Sequence, residues 1–460
     1  MLFNSLYFVA FAAVVLVIHH GVVRSWTSRK RFLLAASWLF YATWSPSFLA
    51  ILVATTWIDF LLAGRIRAVQ GTPRARVFLV ISLTLNLGVL AVFKYGRFLY
   101  DSADALLGLP AAPHFLSLVV PLGISFYTFH SISYVVDTYR GLRPPTDDFA
   151  DFALYVAFFP QLVAGPITRW GFFGPQLERP RTVTFEDVDR ALFLLAVGYV
   201  KKVVCADSLG SFVDRIYDDA GATGAVEAWL ALYAYAFQIY FDFSGYTDIA
   251  WGIAGLLGFR LPENFRHPYL AESPSEFWRR WHVSLSTWLR DYLYIPLGGN
   301  RRGRVRTYVN LMLTMLLGGL WHGAAWTFVL WGGYHGAWLA AHRFVSRADG
   351  PPRTPPWLRR VVSFHLIALG WVLFRAGRLE VALAFFRGLV TPRVMSGPFP
   401  VAPVALVAFG CATHALALRS DRTIFWQRLP RTAQGVAYAV VLVLVGLFSA
   451  ESARFIYFQF

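Results

Sequence analysis

Residues 5–23, SLYFVAFAAVVLVIHHGVV, contain no acid, lysine or arginine, and comparable apolar stretches recur near 32–64, 77–96, 116–135, 188–205, 226–241, 361–374, 399–418 and 433–449. A regular helix needs roughly 20 such residues to cross the hydrocarbon core of a bilayer, so most of these stretches have spanning or near-spanning length. The first is expected to be a retained span rather than a cleaved leader, because it lacks a basic start and is followed by many equally apolar segments. The rest of the composition agrees: 57% of residues are hydrophobic and only 15% are charged, too few charges to cover a water-facing surface. The expected fold is an all-α polytopic membrane protein of about ten to twelve transmembrane and re-entrant pieces. It forms a single domain over residues 1–460, with no sizeable soluble part and no internal repeat.

Two stretches, 152–165 and 310–341, are interrupted by glycine, proline, histidine and polar groups. Short, broken or re-entrant helices are expected there, which lipid tolerates only where protein or a wet cavity shields the backbone. In FFPQLVAGPITRW (158–170), Gln161 and Arg169 flank a Gly-Pro break. Proline removes a donor and restricts the residue before it, so a helix ends or bends here.

The net charge of +16 comes from 42 Lys and Arg against 26 Asp and Glu. Much of the excess lies in short connections: RSWTSRKR (24–31), RIRAVQGTPRAR (65–76) and GGNRRGRVR (298–306). Basic short loops mark the cytoplasmic face and attract anionic membrane lipid, so the charge does not call for nucleic acid as a partner. If 24–31 is cytoplasmic, the N-terminus starts outside, 32–64 is a hairpin and 65–76 returns inside. Beyond about residue 140, Arg169, Arg179 and Arg181 precede a segment that Lys201 and Lys202 follow, so charge stops deciding orientation. Cys205 and Cys411 read as buried small hydrophobes rather than a redox pair.

The middle of the chain places polar groups against its apolar grain. Gln238, Asp242, Ser244 and Asp248 recur within AYAFQIYFDFSGYTDIAWGIAGLLGF (234–259). An acid at hydrocarbon depth must face protein, a pore or a partner, so these groups either cross-link helices or shape a polar chamber. In SPSEFWRRWHVSLSTWLRDY (273–292), Ser273 reads as an N-cap, with Pro274 first in the helix and Glu276 third. From there Phe277, Trp281, Leu285, Trp288 and Tyr292 follow at helical spacing, with His282 beside the stripe. Arg279, Arg280, Arg301 and Arg302 suit lipid headgroups, pairing with nearby acids, or the phosphates of a cofactor.

His322 in GGLWHGAAW (318–326) lies in a run with no other charge, beside Gly318, Gly319 and Gly323, whose small size admits either another helix or a substrate. His19, His20, His342 and His365 sit near the ends of the expected spans, where an interfacial role suffices. No HExxH, paired CxxC or GxSxG occurs, so neither a zinc site nor a serine nucleophile is expected, and no metal is assigned. An imidazole with a reference pKa of about 6.5 is suited to take a proton from an alcohol attacking an activated acyl group.

The motifs VVPLGISFYTFHSISYVVDTYRG (119–141), FFPQLVAGPITRW (158–170), the stretch from Gln238 to Gly303, LTMLLGGLWHGAAWTFVLWGGYHG (313–336) and FIYFQF (455–460) resemble the membrane-bound O-acyltransferases (MBOAT), in their bacterial alginate O-acetylation branch. The resemblance runs nearly end to end. It implies a ring of tilted and re-entrant helices around a central tunnel, with the histidine of the WHG motif, His322, as catalytic base. His282 is the second catalytic candidate, and Gln238, Asp242, Ser244 and Asp248 are chamber or scaffold groups.

The resemblance further implies acetyl-CoA as a cytosolic donor substrate, with no permanently bound cofactor. Arg279, Arg280, Arg301 and Arg302 would hold its phosphates. The acetyl group would pass to a hydroxyl at the outer face of a bacterial inner membrane, on a periplasmic acetyltransferase partner or on a polysaccharide. A proton-coupled transporter using Asp242, Asp248 and His322, and a scaffold indifferent to loss of both histidines, are the rival readings.

Overall fold

The computed structural model describes residues 1, 3–110, 112–113, 119–345, 354–393, 395, 398–417, 426–449 and 456. Residues 116–118 and 418 of the expected spans, and all of FIYFQF except Ile456, lie outside the described residues. Helices dominate, and no strand occurs among the described residues.

The apolar segments become helices, with boundaries set by local chemistry. The 32–64 stretch is a pair, Trp26–Ala42 and Pro46–Ala68, broken where Ser45 caps the second helix and Pro46 starts it. The 77–96 stretch extends in both directions: Pro73–Leu90 passes through a π-helical turn, Ala91–Tyr95, into Gly96–Leu107. Among the described residues four helices, Pro46–Ala68, Pro73–Leu107, Pro356–Ala376 and Arg431–Phe448, are long and apolar enough to cross a membrane, and Leu6–Val22 and Val401–Leu416 are shorter apolar helices.

The 226–241 stretch is instead the first half of a 32-residue helix, Ala225–Leu256. Its interior acids do not end it, because their charges are paired inside the protein, as described below. The aromatic stripe of 277–292 is not continuous either. Helix Pro274–Arg280 stops, His282 adopts φ 42° and ψ 53°, and a second helix, Val283–Leu289, begins. Cys205 is buried as expected, but Cys411 is exposed on the apolar helix Val401–Ala417, and His19, expected at an interface, is buried.

The chain divides into two compact units: Met1–Leu195 with Ile249–Pro262, and Ala196–Asp248 with Glu263–Phe460. The first unit is held by an aromatic core including Phe8, Phe40 and Phe159 and by polar cross-links within its helices. Asp59 accepts hydrogen bonds from Ser82 Oγ and from Asn86 Nδ2 (2.8 Å), which joins Pro46–Ala68 to Pro73–Leu90. At the Gly-Pro break, Gln161 is fully buried and satisfied, donating to the Tyr155 carbonyl and accepting from Thr168 Oγ. The irregular backbone there is buried in protein, the condition lipid imposes.

In the second unit, helices Arg304–His322 and Trp326–Val345 meet backbone to backbone. A Cβ on Gly332 would lie 2.2 Å from the Met315 carbonyl oxygen, and one on Gly319 equally close to the Phe328 carbonyl oxygen. The space beside His322 is therefore taken by protein: Gly319 admits the neighbouring helix, and Gly323 faces the Phe328 ring. We expect Gly332→Ala to destabilise this unit by roughly 1–3 kcal/mol, the cost of overpacking a contact that cannot yield. Gly333→Ala, whose Cβ would meet Leu316 at an ordinary 3.5 Å, should be nearly silent in the same detergent unfolding series.

Candidate active site

His322 is the last residue of helix Arg304–His322, and Gly323 leaves it in extended conformation. The side chain is 4% exposed and packed edge-on against Trp321, Trp331 and Phe374, with ring centroids 5.0–5.2 Å away. Helix carbonyls concentrate partial negative charge at this end. The aromatic walls keep water from the ring.

His282 approaches the other histidine through the same indole: its ring centroid lies 6.0 Å from that of Trp321. It is fully buried, with Phe243 edge-on at 4.7 Å. Its left-handed backbone, worth of order 1–2 kcal/mol of strain for a residue with a Cβ, is imposed by Asn264. The Asn264 carbonyl accepts from Val283 N, and its side-chain Oδ1 accepts from Ser284 N and Ser284 Oγ. A backbone N–H can only donate, so this amide oxygen is an acceptor. The His282 Nδ1, 3.0 Å from the same oxygen, must then carry the proton. In the neutral ring the lone pair is left on Nε2.

Asn264 was invisible as a functional candidate in the sequence, because an asparagine in LPENF looks like ordinary turn chemistry. His335 is a third histidine of this region. It is fully buried, with its ring 4.9 Å from Trp331, the indole that also walls His322.

The acids of helix Ala225–Leu256 that interrupt its apolar pattern are paired. Lys202 Nζ lies 2.8 Å from Asp242 and 2.7 Å from Asp207, and Lys201 pairs with Asp248. Both lysines sit in the π-helical turn Val200–Ala206 and are buried, so they are not the surface markers of a span end. Asp242 also accepts from Ile456 N. Gln238 and Ser244 are buried on the same helix, with the Gln238 amide against Gly210. Two lysines next to two acids one apolar segment away was the signal available in the sequence.

The four arginines differ in how committed they are. Arg280 pairs with Glu276 at 2.7 Å and donates to the Arg266 carbonyl, whereas Arg279, Arg301 and Arg302 are exposed. Arg301 and Arg302 follow the Gly298–Gly299 turn, in which both glycines have positive φ. Ser273 caps its helix as expected, and Glu276 reaches back to the Glu272 N–H. The carboxyl of Glu272 itself is held below its usual value by Arg359 and then Arg360, which tie the loop to helix Pro356–Ala376.

Residues 143–374 match the MBOAT, membrane-bound O-acyltransferase family. The chain is 46% identical over 364 residues to the probable alginate O-acetylase AlgI of Azotobacter vinelandii, covering 78% of this chain and 72% of the relative. It is 44% identical to the protein of the same name from Pseudomonas aeruginosa, over 78% of this chain and 69% of that one. It is also 39% identical over 394 residues to the peptidoglycan O-acetyltransferase of Helicobacter pylori, covering 73% of it. Both histidines described above fall inside the matched region, and with coverage of this extent the chain belongs to the membrane-bound O-acyltransferase family and is an all-α membrane O-acyltransferase.

Proposed function

We propose that this O-acyltransferase moves an acetyl group from cytosolic acetyl-CoA to a hydroxyl at the outer face of a bacterial inner membrane, its two units working as one membrane domain. The observation that carries the reading is the placement of His322: a buried imidazole at a helix C-terminus, walled by Trp321, Trp331 and Phe374. In the proposed step His322 takes the acceptor's hydroxyl proton as the oxygen attacks the thioester carbonyl. The tetrahedral intermediate collapses by expelling the coenzyme thiolate, and the imidazolium returns the proton to that sulfur. His282 faces the same indole, and with Nδ1 held by Asn264 its ring is fixed to meet the acyl group or the acceptor.

The donor's phosphates are assigned to Arg279, Arg301 and Arg302, exposed cations suited to bind them, with Arg280 contributing only if it leaves Glu276. The acceptor is a polysaccharide or a periplasmic acetyltransferase that hands the group on, a reading supported by the polysaccharide-related names of the relatives. The buried pairs Lys202–Asp242 and Lys201–Asp248 favour a scaffold role for these acids over a proton path. The test uses full-length protein in sealed vesicles with labelled acetyl-CoA supplied on one face and acceptor on the other. Label is expected on the acceptor together with stoichiometric free coenzyme. Thioester loss without acceptor labelling, or transport of intact donor, would contradict it.

A further inference from the structure

The first unit contains a recess of about 190 Å³ between helix Phe185–Tyr199, the end of helix Ala225–Leu256 and the turn after it. Its walls are apolar and aromatic, with Trp251, Phe259 and Leu194, while Arg181, Arg190 and Arg260 line it with a single acid, Asp187. The turn is pinned in place: Gln176 accepts from Arg260 N and donates to the Arg260 carbonyl, and Trp251 Nε1 donates to the Pro262 carbonyl.

Asp187 is already spent. It pairs with Arg181 and accepts from the Thr184 N–H and hydroxyl. Partial burial works to raise its carboxyl, but these donors outweigh that effect and hold it below the ordinary value, so at neutral pH it remains an anion occupied with Arg181. Arg190 and Arg260 have no carboxylate partner among the described residues. Arg190 and Arg260 are exposed, and two guanidinium groups without a carboxylate beside an aromatic recess suit an anion.

The surroundings narrow the kind of anion. Sites that enclose a drug-sized ligand occupy roughly 300–1,000 Å³, so this recess takes a headgroup and not a whole nucleotide coenzyme. The polar run RTVTFEDVDR (181–190) passes directly into ALFLLAVGY (191–199), the change of character found where a helix enters lipid. Phe172, which lines the recess, is 43% exposed, and on the segment that carries Arg190 the apolar Leu192 and Phe185 are 43% and 71% exposed.

We infer that this recess is a headgroup site for an anionic phospholipid, with its phosphate held by Arg190 and Arg260 and its first methylenes laid along Phe172 and Leu194. The site belongs to the first unit, and His282 and His322 belong to the second.

The test takes the full chain from phosphatidylcholine vesicles containing a minor fraction of labelled phosphatidylglycerol and measures retained lipid by native mass spectrometry and scintillation. Wild type is expected to retain phosphatidylglycerol over phosphatidylcholine. The Arg190→Gln/Arg260→Gln variant should bind it about thirtyfold more weakly, as expected for two lost cation–anion contacts at a membrane surface. Arg190→Lys/Arg260→Lys should keep most of the preference. Should the glutamine variant not fold, Gly255→Leu serves as well: it fills the recess from the helix side, its Cβ starts 3.6 Å from Ala191 Cβ, and both arginines are kept. Undiminished retention in a folded glutamine or Gly255→Leu variant overturns the inference. Displacement of labelled lipid by inorganic phosphate or by coenzyme A at equal concentration also overturns it, and assigns the recess to a soluble phosphate.

Discussion

His322→Ala is expected to lower acyl transfer by roughly 10²–10⁴-fold, the range for losing a positioned general base, while leaving the protein folded. The alcohol oxygen is a poor nucleophile with its proton in place, and nothing in the wall of Trp321, Trp331 and Phe374 can accept that proton instead. The alanine variant keeps Gly319 and Gly323, the small residues that let the adjoining helix and Phe328 close on the site, so the packing that shapes it persists. The measurement is label transfer in sealed vesicles, normalised to folded protein by gel filtration. Transfer at the wild-type rate would remove His322 from the chemistry. A loss confined to donor binding, with the transfer step intact at saturating thioester, would make it a binding residue.

Lys202→Met should be among the most destabilising single changes in the second unit, costing about 3–5 kcal/mol, the penalty for stranding a buried charge partner. The lysine side chain is 7% exposed, and its partners Asp207 and Asp242 are 4% and 2% exposed. Removing it leaves two carboxylates together in a place water reaches poorly. The informative control is Lys202→Met with Asp207→Asn and Asp242→Asn, which abolishes the whole charge set. Replacing a buried ionic group outright is often neutral, so the triple variant should recover most of the lost stability. Thermal unfolding in detergent reads both. If the single variant melted like wild type, the pairing would not hold the π-helical turn Val200–Ala206 against helix Ala225–Leu256.

The same network explains why part of the fold escaped a reading of the sequence. Gln238, Asp242 and Asp248 interrupt an apolar pattern, and hydropathy alone ends the span near residue 241. The helix continues to Leu256 because Lys201 and Lys202, on another element, neutralise those acids. Likewise the spacing of Phe277, Trp281, Leu285, Trp288 and Tyr292 supports one continuous helix, and local propensity contains no reason to break it. The break at His282 is paid for by three acceptor contacts to Asn264 and by the Val283 N–H bond to its carbonyl.

The sequence alone determined the apolar character of the chain, the helical class, a hairpin within 32–64 and the Ser273 cap, and it singled out His282 and His322 as candidates, since each follows from composition, periodicity or a short motif. Tertiary structure alone decided what those histidines face. Residues apart in the chain supply the Trp331 and Phe374 rings that wall His322, the Trp321 indole that His282 meets, the asparagine that sets the His282 tautomer and the helix that fills the glycine groove. Side-chain protonation and packing depend on neighbours across space, and a local pattern records only neighbours along the chain.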